Sequence, residues 1–260
     1  MKLELLHVER GDDHVVRVAM DNPPHNLQSL EMVEELRLLL NHLAEEKGVR
    51  ALILRSAIPD RFMPGADLKV SNDLWDLYYQ RQTKLRAILD RWERLPFPTI
   101  AEIGGHALGG GAELAVVCDF RVMAEGKWRI GFPEILRGLI PAAGGTQRAA
   151  RLLGRARALD LVLRGRLLSA TEAESIGLVT IACPPDELRE RAEGLAAEFA
   201  VLAPLSVAAA KRAILDGLET TLAGGLSIEA YEMYGVSTTS DCLEGVQSFV
   251  EKRAPRFTGA

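Results

Sequence analysis

Hydrophobic positions in the first half of the chain follow two alternating patterns. Short runs rich in Val, Ile and Leu occur at His14–Met20 and Arg50–Arg55, and such runs are typical of strands covered on both faces. Between them, apolar residues recur every three or four positions from Leu30 to Leu43, which predicts an amphipathic helix. A second helix is predicted over Leu74–Leu95, where the two prolines that follow end it.

The second half of the chain has a different pattern. Three more strands are predicted at Thr99–Gly104, Asp119–Ala124 and Leu178–Ala182, but from Gly144 onward the pattern is almost wholly helical. The helices predicted there are Arg148–Leu153, Ala156–Leu163, Glu187–Leu202, Ser206–Leu215 and Leu226–Tyr234. Strands followed by a helical tail indicate an α/β protein with a β/α core and a C-terminal helical part.

The composition excludes several classes of protein. Of the 260 residues, 48% are hydrophobic and 26% charged, which favours a globular chain of one domain or slightly more over disorder. A net charge of −5 argues against a nucleic-acid partner. The longest apolar run, Leu195–Ala210, is interrupted by charged and proline residues, so no membrane partner is expected.

The three cysteines and the N-terminus indicate a cytoplasmic protein. Cys118, Cys183 and Cys242 are an odd number of thiols without the spacing of metal ligands, so we expect them to be reduced. The first residues contain no apolar signal core. The chain also lacks the motifs of P-loop nucleotide enzymes, zinc enzymes and serine hydrolases with a nucleophile elbow, and no metal is expected.

Two glycine-containing loops each follow a predicted strand. The first, Gly104–Glu113, contains Gly109-Gly110-Gly111 directly before an apolar helical stretch. Three glycines at a helix start expose backbone N–H groups, as an oxyanion hole or anion cradle requires, although a tight strand-to-helix turn explains a lone glycine run equally simply. The second, Phe62–Leu68, offers another amide at Ala66, and a plain surface loop is its simpler interpretation.

Two glutamates lie in apolar surroundings beside these turns. Glu113 is the one acid among Ala, Leu, Val and Cys residues, and Glu134 lies 21 positions later between Pro133 and Ile135. Burial raises the pKa of a carboxyl group toward neutrality, where it can act as general acid or base. Taken singly, each glutamate also fits a helix N-terminus, which favours acids for electrostatic reasons. Together they could hold a water between a proton donor and a proton acceptor.

At these residues the chain resembles the enoyl-CoA hydratase/isomerase (crotonase) superfamily. The resemblance extends from about Val15 to the C-terminus and is densest at Ala101–Gln147. It includes the Gly65-Ala66-Asp67 loop and the tail Gly245–Arg253. The resemblance implies a crotonase-type β/α spiral core over residues 1–203 and a C-terminal helical oligomerisation subdomain over residues 204–260.

The resemblance also implies a role for each site residue. In the family, the amides at the positions of Ala66 and Gly110 bind the thioester oxygen and stabilise the enolate. Glu134 corresponds to the acid that protonates Cα, and Glu113 to the residue that orients and helps deprotonate the attacking water. Because members with other chemistries often keep only one of these acids, retention of both favours hydration.

Contacts with CoA follow from the same resemblance. Pro64 stands where a small non-proline residue is usual, yet its carbonyl can still accept a bond from the adenine amine. The remaining residues expected to bind CoA are Ala66, Asp67, Leu68 and Lys252. No metal or redox cofactor is implied, since CoA arrives as part of the substrate. Ala142 replaces a common glycine and is expected to narrow the acyl pocket.

The expected function is reversible addition of water across the 2,3 double bond of an enoyl-CoA. A methylglutaconyl-type or other branched-chain hydratase is the first alternative, because Arg55–Phe62 and Asp241–Gly245 resemble that branch. A Δ3,Δ2-enoyl-CoA isomerase and a non-catalytic CoA-thioester-binding protein remain open as well. The family forms trimers, often paired into hexamers, and the apolar residues after Pro204 fit such an assembly. The length and branching of the acyl chain cannot be read from the sequence.

Overall fold

A computed structural model describes residues 3–67 and 74–260. The larger of its two sheets has six strands in the order β1-β2-β3-β5-β7-β10, antiparallel between β1 and β2 and parallel elsewhere. These strands are β1 (Leu6–Arg10), β2 (Val15–Met20), β3 (Ala51–Ser56), β5 (Thr99–Ile103), β7 (Phe120–Ala124) and β10 (Ile181–Cys183). The continuous apolar run Ala51–Leu54 is buried throughout, as expected for a strand covered on both faces.

The second sheet is smaller and carries the loops of the site. Its order is β4-β6-β8-β9, with β8 and β9 antiparallel and the other pairs parallel. These strands are β4 (Asp60–Met63), β6 (Gly105–Leu108), β8 (Ile130–Gly131) and β9 (Leu167–Leu168). All four are short, so their pairing depends on neighbours that are distant in sequence.

Ten α-helices are found in the described residues. They are α1 (Leu30–Leu43), α2 (Leu74–Glu93), α3 (Gly110–Val116), α4 (Gly145–Leu153), α5 (Arg155–Leu163), α6 (Ala170–Ser175), α7 (Leu188–Ala200), α8 (Pro204–Gly217), α9 (Leu222–Ser237) and α10 (Ser240–Glu251). The Ser29 hydroxyl accepts a hydrogen bond from the Met32 N–H and caps α1. The apolar face of α1 then packs into the main core with Trp92 of α2.

The predicted fold class is confirmed, with several corrections to single elements. Strand β1 was not predicted. The strand expected at Leu178–Ala182 begins only at Ile181, because Leu178 is buried in a turn, where its N–H donates a hydrogen bond to the Ala173 carbonyl. The second half is less uniformly helical than predicted, since β9 lies there in addition to the predicted β10. The Gly104–Glu113 segment is not one loop, because β6 occupies its first half.

The C-terminal helical part begins at the position that the family resemblance implied. Helix α8 starts at Pro204, which occupies the first turn, where its missing N–H is not needed. The division between residues 203 and 204 therefore coincides with an element boundary, and its status as a domain boundary stays a prediction. Across the described ranges no single helix is long and apolar enough to cross a membrane; only α7 and α8 taken together, bent by 105°, reach that length and composition.

Candidate active site

Strand pairing brings the two glycine loops together. Strands β4 and β6 are parallel neighbours, so the loops that follow them, Pro64–Asp67 and Gly109-Gly110, emerge at the same edge of the small sheet. Ligands of α/β proteins bind beyond the carboxyl ends of parallel strands for this reason. The site therefore depends on a pairing between segments that are about 45 residues apart in the chain.

The amide of Ala66 is turned toward this edge by a bridge with Gln28. The Gln28 N–H donates to the Gly65 carbonyl (2.9 Å), and the Asp67 N–H donates to the Gln28 carbonyl (3.2 Å). Because alternate residues of an extended segment direct their backbone groups to opposite sides, this pairing leaves the Ala66 N–H facing away from Gln28. Gly65 has a φ of +123°, a conformation that glycine adopts readily.

The amide of Gly110 opens helix α3. Gly110 is its first residue, so its N–H lacks a carbonyl one turn earlier, and the helix dipole adds positive potential there. The preceding Gly109 has a φ of +55°. At Gly111 a Cβ would come within 1.8 Å of the Met63 carbonyl oxygen, so glycine allows α3 to contact the β4 backbone directly.

Glu113 lies one turn into α3 and is almost completely buried. Its Oε1 accepts hydrogen bonds from the Ala143 N–H (2.7 Å) and the Gly145 N–H (2.9 Å), which fix the carboxyl group in one orientation. Burial raises the pKa of Glu113, and the two N–H donors offset part of this effect. A raised pKa in a fixed orientation is what a proton acceptor for a bound water requires.

Glu134 opens the 3₁₀-helical turn Glu134–Arg137. Burial raises its pKa to about 7, and the charge of Glu113 contributes in the same direction. Within the described residues the buried Oε2 of Glu134 has no hydrogen-bond partner. A Cβ on Gly109 would lie 2.9 Å from Oε1, so the glycine also leaves room for this carboxyl group. The pKa of Glu134 therefore lies near neutral pH, where the carboxyl group can give or take a proton.

Both carboxyl groups and both amides line one cavity of about 480 Å³. Six of the eight predicted site residues line it: Pro64, Ala66, Asp67, Gly110, Glu113 and Glu134. Leu68 lies outside the described residues. Lys252 is exposed at the end of α10 and is not among the residues that line the cavity.

Other residues of the cavity wall were not predicted. They include Leu27, Gln82, Leu108, Arg137 and Leu139, which come from four separate segments. No local signal marks them, since each belongs to a helix, strand or loop whose orientation depends on the assembled fold. Ala142, which the sequence did suggest, also lines the cavity.

His106, the residue beside the glycine loop, is not among the residues lining this cavity. Its Nδ1 accepts a hydrogen bond from the Arg129 N–H, and burial lowers its pKa. These contacts fit a packing role on β6.

A larger groove of about 1090 Å³ adjoins the cavity. It shares Leu27 and Asp67 with the cavity and is lined by charges of both signs, among them Glu31, Lys84 and Arg91. Glu113 and Glu134, whose pKa values burial raises, line the cavity and not the groove. The smaller cavity is therefore the better candidate for acid–base chemistry, and the groove for holding a charged part of a ligand.

Comparison with known proteins independently indicates the family that the sequence resembles. Residues 10–260 match the family model described as enoyl-CoA hydratase/isomerase. The human protein named enoyl-CoA hydratase domain-containing protein 2, mitochondrial, is 40% identical over 257 residues, which cover 95% of this chain and 87% of that protein. Methylglutaconyl-CoA hydratase of Rattus norvegicus is 36% identical over 268 residues, covering 99% and 84%.

Solved structures confirm the fold. The crystal structure of an enoyl-CoA hydratase from Bacillus anthracis superposes with a TM-score of 0.94 at 39% identity, covering 99% of this chain and 100% of that one. Near-complete coverage in both directions means that the core and the C-terminal helices share one arrangement with that enzyme. The chain therefore belongs to the enoyl-CoA hydratase/isomerase family.

Proposed function

We propose that this protein is an enoyl-CoA hydratase that adds water reversibly across the 2,3 double bond of an acyl-CoA thioester. The observation that carries the proposal is the presence of Glu113 and Glu134, both with raised pKa values, in one cavity with the amides of Ala66 and Gly110. Two carboxyl groups with raised pKa values and two N–H donors at one cavity match the needs of this reaction.

In the proposed mechanism, the thioester oxygen accepts hydrogen bonds from the Ala66 and Gly110 N–H groups. These bonds stabilise the negative charge that develops on the oxygen when the β-carbon is attacked. Water bonds to Cβ and gives a proton to Glu113, while Glu134 gives its proton to Cα. The reverse sequence removes water, and proton exchange with solvent restores both acids.

The test is hydration of crotonyl-CoA by the purified protein. Loss of the conjugated double bond is followed by absorbance, and the 3-hydroxyacyl-CoA product is identified by mass spectrometry. A wild-type protein that hydrates none of a panel of straight, branched and carboxylated 2-enoyl-CoAs would refute the proposal. Movement of the double bond without water uptake would support the isomerase instead.

CoA is proposed to bind along the groove that adjoins the cavity. The Pro64 carbonyl and Asp67 are proposed to contact it on the cavity side, and Lys252 to contact it from a neighbouring subunit. The contact expected for Leu68 lies outside the described residues. Lys84 and Arg91 supply positive charge along the groove for the phosphates. The proposed reaction needs no metal or redox group, and the described residues contain no cluster of His, Cys, Asp or Glu suited to a metal ion.

A homotrimer, or a dimer of trimers, is the proposed assembly. The most exposed of the large apolar side chains on the C-terminal helices are Leu222, Tyr231, Tyr234, Leu243, Phe249 and Val250. Apolar surface of this extent on a folded chain marks a contact with a partner, and a closed ring covers it on every subunit. A cytoplasmic location is proposed on the sequence evidence given above.

The methylglutaconyl-type alternative has one observation in its favour. Methylglutaconyl-CoA hydratase of rat is similar to this chain over nearly its whole length. Its name describes a substrate with a branched, carboxylated acyl group, so the panel of enoyl-CoAs decides between the two substrate classes.

A further inference from the structure

A polar side chain of α2 reaches the cavity without a partner. Gln82 is 7% exposed and lines the cavity together with Glu113 and Glu134. Within the described residues its buried Oε1 accepts no hydrogen bond. Most of the remaining wall is apolar, and includes Leu27, Leu108 and Leu139.

A buried amide oxygen without a hydrogen-bond partner is unfavourable in such a wall unless a bound ligand supplies the partner. Buried polar atoms are normally hydrogen-bonded, so an exception that faces a binding cavity indicates a group that the ligand satisfies. A half turn of the amide exchanges its oxygen and its NH₂ group, so Gln82 can accept from a hydroxyl or donate to a carboxylate. A plain alkyl chain would leave the buried Oε1 unsatisfied.

A second, independent feature selects between these two. Arg137 also lines the cavity, and it is the one cationic side chain among the described residues that does so. Arg137 is exposed to solvent at the cavity wall, and its charge lowers the pKa of Glu134, so the charge acts within the cavity. Guanidinium and amide donors on one cavity wall favour an anionic oxygen group over a neutral one.

We propose that Gln82 and Arg137 determine substrate specificity by binding a carboxylate at the far end of the acyl group. The substrate class is therefore a carboxylated enoyl-CoA, a refinement that rests on the proposed hydratase function. Gln82 supplies an N–H donor within the cavity, and Arg137 supplies the opposite charge at its wall. Straight alkyl chains are accommodated by the leucines but leave the amide unpaired.

Binding of saturated analogues tests this without any turnover. Pentanoyl-CoA, 5-hydroxypentanoyl-CoA and glutaryl-CoA have the same chain length and differ only at the terminal carbon. Calorimetry on the wild type is expected to give glutaryl-CoA a dissociation constant about 10- to 100-fold lower than that of pentanoyl-CoA. Equal affinities would overturn the proposal, and tightest binding of the hydroxyl analogue would overturn the choice of a carboxylate. Analogues with four- and six-carbon chains extend the same comparison to other lengths.

Variants separate the two residues. Gln82→Leu keeps the size and the helix and is expected to abolish most of the preference, while leaving pentanoyl-CoA affinity unchanged or higher. Arg137→Gln is expected to weaken the binding of glutaryl-CoA, while the affinities for the two neutral analogues stay the same. Thr83→Ala, an exposed neighbour on α2 that does not line the cavity, is the control and should leave all three constants unchanged. If Gln82→Leu changes the dissociation constants of the three ligands by the same factor, Gln82 has only a structural role.

Kinetics distinguish failure of this inference from failure of the proposed function. The ratio of kcat/KM for glutaconyl-CoA to that for 2-pentenoyl-CoA is expected to fall about 10-fold or more in Gln82→Leu. In Arg137→Gln the same ratio cancels the effect that loss of this charge has on the acidity of Glu134. A wild type that hydrates 2-pentenoyl-CoA more efficiently than glutaconyl-CoA is a hydratase for which this inference is wrong. A wild type that hydrates neither contradicts the function, and the calorimetry still tests the binding of the carboxylate.

Discussion

Helices α3 and α9 are both rich in small and apolar residues but lie in opposite environments. Every residue of α3 is buried, including the carboxyl group of Glu113. No residue of α9 is buried, and its Leu222, Tyr231 and Tyr234 are 81%, 76% and 74% exposed. Composition alone would have placed α9 in the core at least as readily as α3.

The difference lies in what each helix can pack against within one chain. The missing side chain of Gly111 lets α3 approach the backbone of β4, so that strands and α4 enclose it. Helix α9 packs mainly on α8 through a close approach of Gly217 and Gly225, which turns its larger side chains outward. Burial of α3 places Glu113 in the cavity, whereas the proposed trimer would bury α9 against a second chain.

Removal of the exposed region should have the largest effect. A chain that ends at Ala203 lacks α8, whose Lys211 Nζ donates to Asp119 (2.6 Å) and to the Phe97 carbonyl (3.2 Å) in the core. We expect insoluble or monomeric protein with no detectable hydration. Light scattering and the crotonyl-CoA assay check this outcome; a soluble, fully active monomer would show that the core is independent of the C-terminal helices.

Loss of either acid should have the next largest effect. Glu113→Gln and Glu134→Gln are each expected to fold and to lower kcat by about 10²–10⁴, because general acid–base assistance is removed. Glu102→Gln is the matched control, since Glu102 is also buried with a raised pKa but does not line the cavity. Near-normal turnover in Glu113→Gln or Glu134→Gln would contradict the two-carboxylate mechanism.

The amide of Gly110 can be tested by a substitution that suits the helix. Proline is favourable at the first helical position and lacks only the N–H, so Gly110→Pro should lower kcat by about 10²–10³. Gly110→Ala keeps the donor and adds the same Cβ, which meets the flexible end of Gln28 at 2.8 Å. Equal activities of these two variants would show that the amide is not needed.

Charges on α9 should separate the subunits with little effect on the fold of each chain. Tyr231→Glu combined with Tyr234→Glu places two charges on the exposed face, and we expect the particle mass to fall toward the 28.4 kDa of one chain. Glu190→Lys on the exposed surface of α7 is the control. If sedimentation shows the same mass for all three proteins, α9 does not contribute to an interface.

The smallest effect concerns the pH dependence of stability. Burial raises the pKa of Glu134 from its ordinary 4.5 to about 7, so the folded state holds this proton more tightly than the unfolded state. The resulting stabilisation is complete below pH 4.5 and is lost as the pH rises through about 7. Glutamine is neutral throughout, so the melting temperature of Glu134→Gln should rise relative to that of the wild type as the pH increases across this interval. A constant difference between the two proteins from pH 4 to pH 8 would show that Glu134 titrates normally.

The sequence by itself determined the elements with strong local patterns and most of the site. Helix α1, the helix after Leu74 and the buried strands of the large sheet follow from periodicity, because hydrophobic spacing must match the period of the element that buries it. Glu113 and Glu134 stood out because an acid in an apolar segment must be paired, neutral or functional. The glycine loops located the amides, since small residues leave a backbone N–H open to a ligand.

Only the tertiary structure decided how these parts meet. Strand β6 is four residues long and is defined by pairing with β4 and β8, which no local pattern reports. The arginine-rich stretch after Gly145 has only one acid in sequence, yet Arg148 pairs with Asp90 and Glu93 of another helix. Gln82 lines the cavity because the environment of a side chain depends on which distant segments pack together. That information is not local to any stretch of the chain.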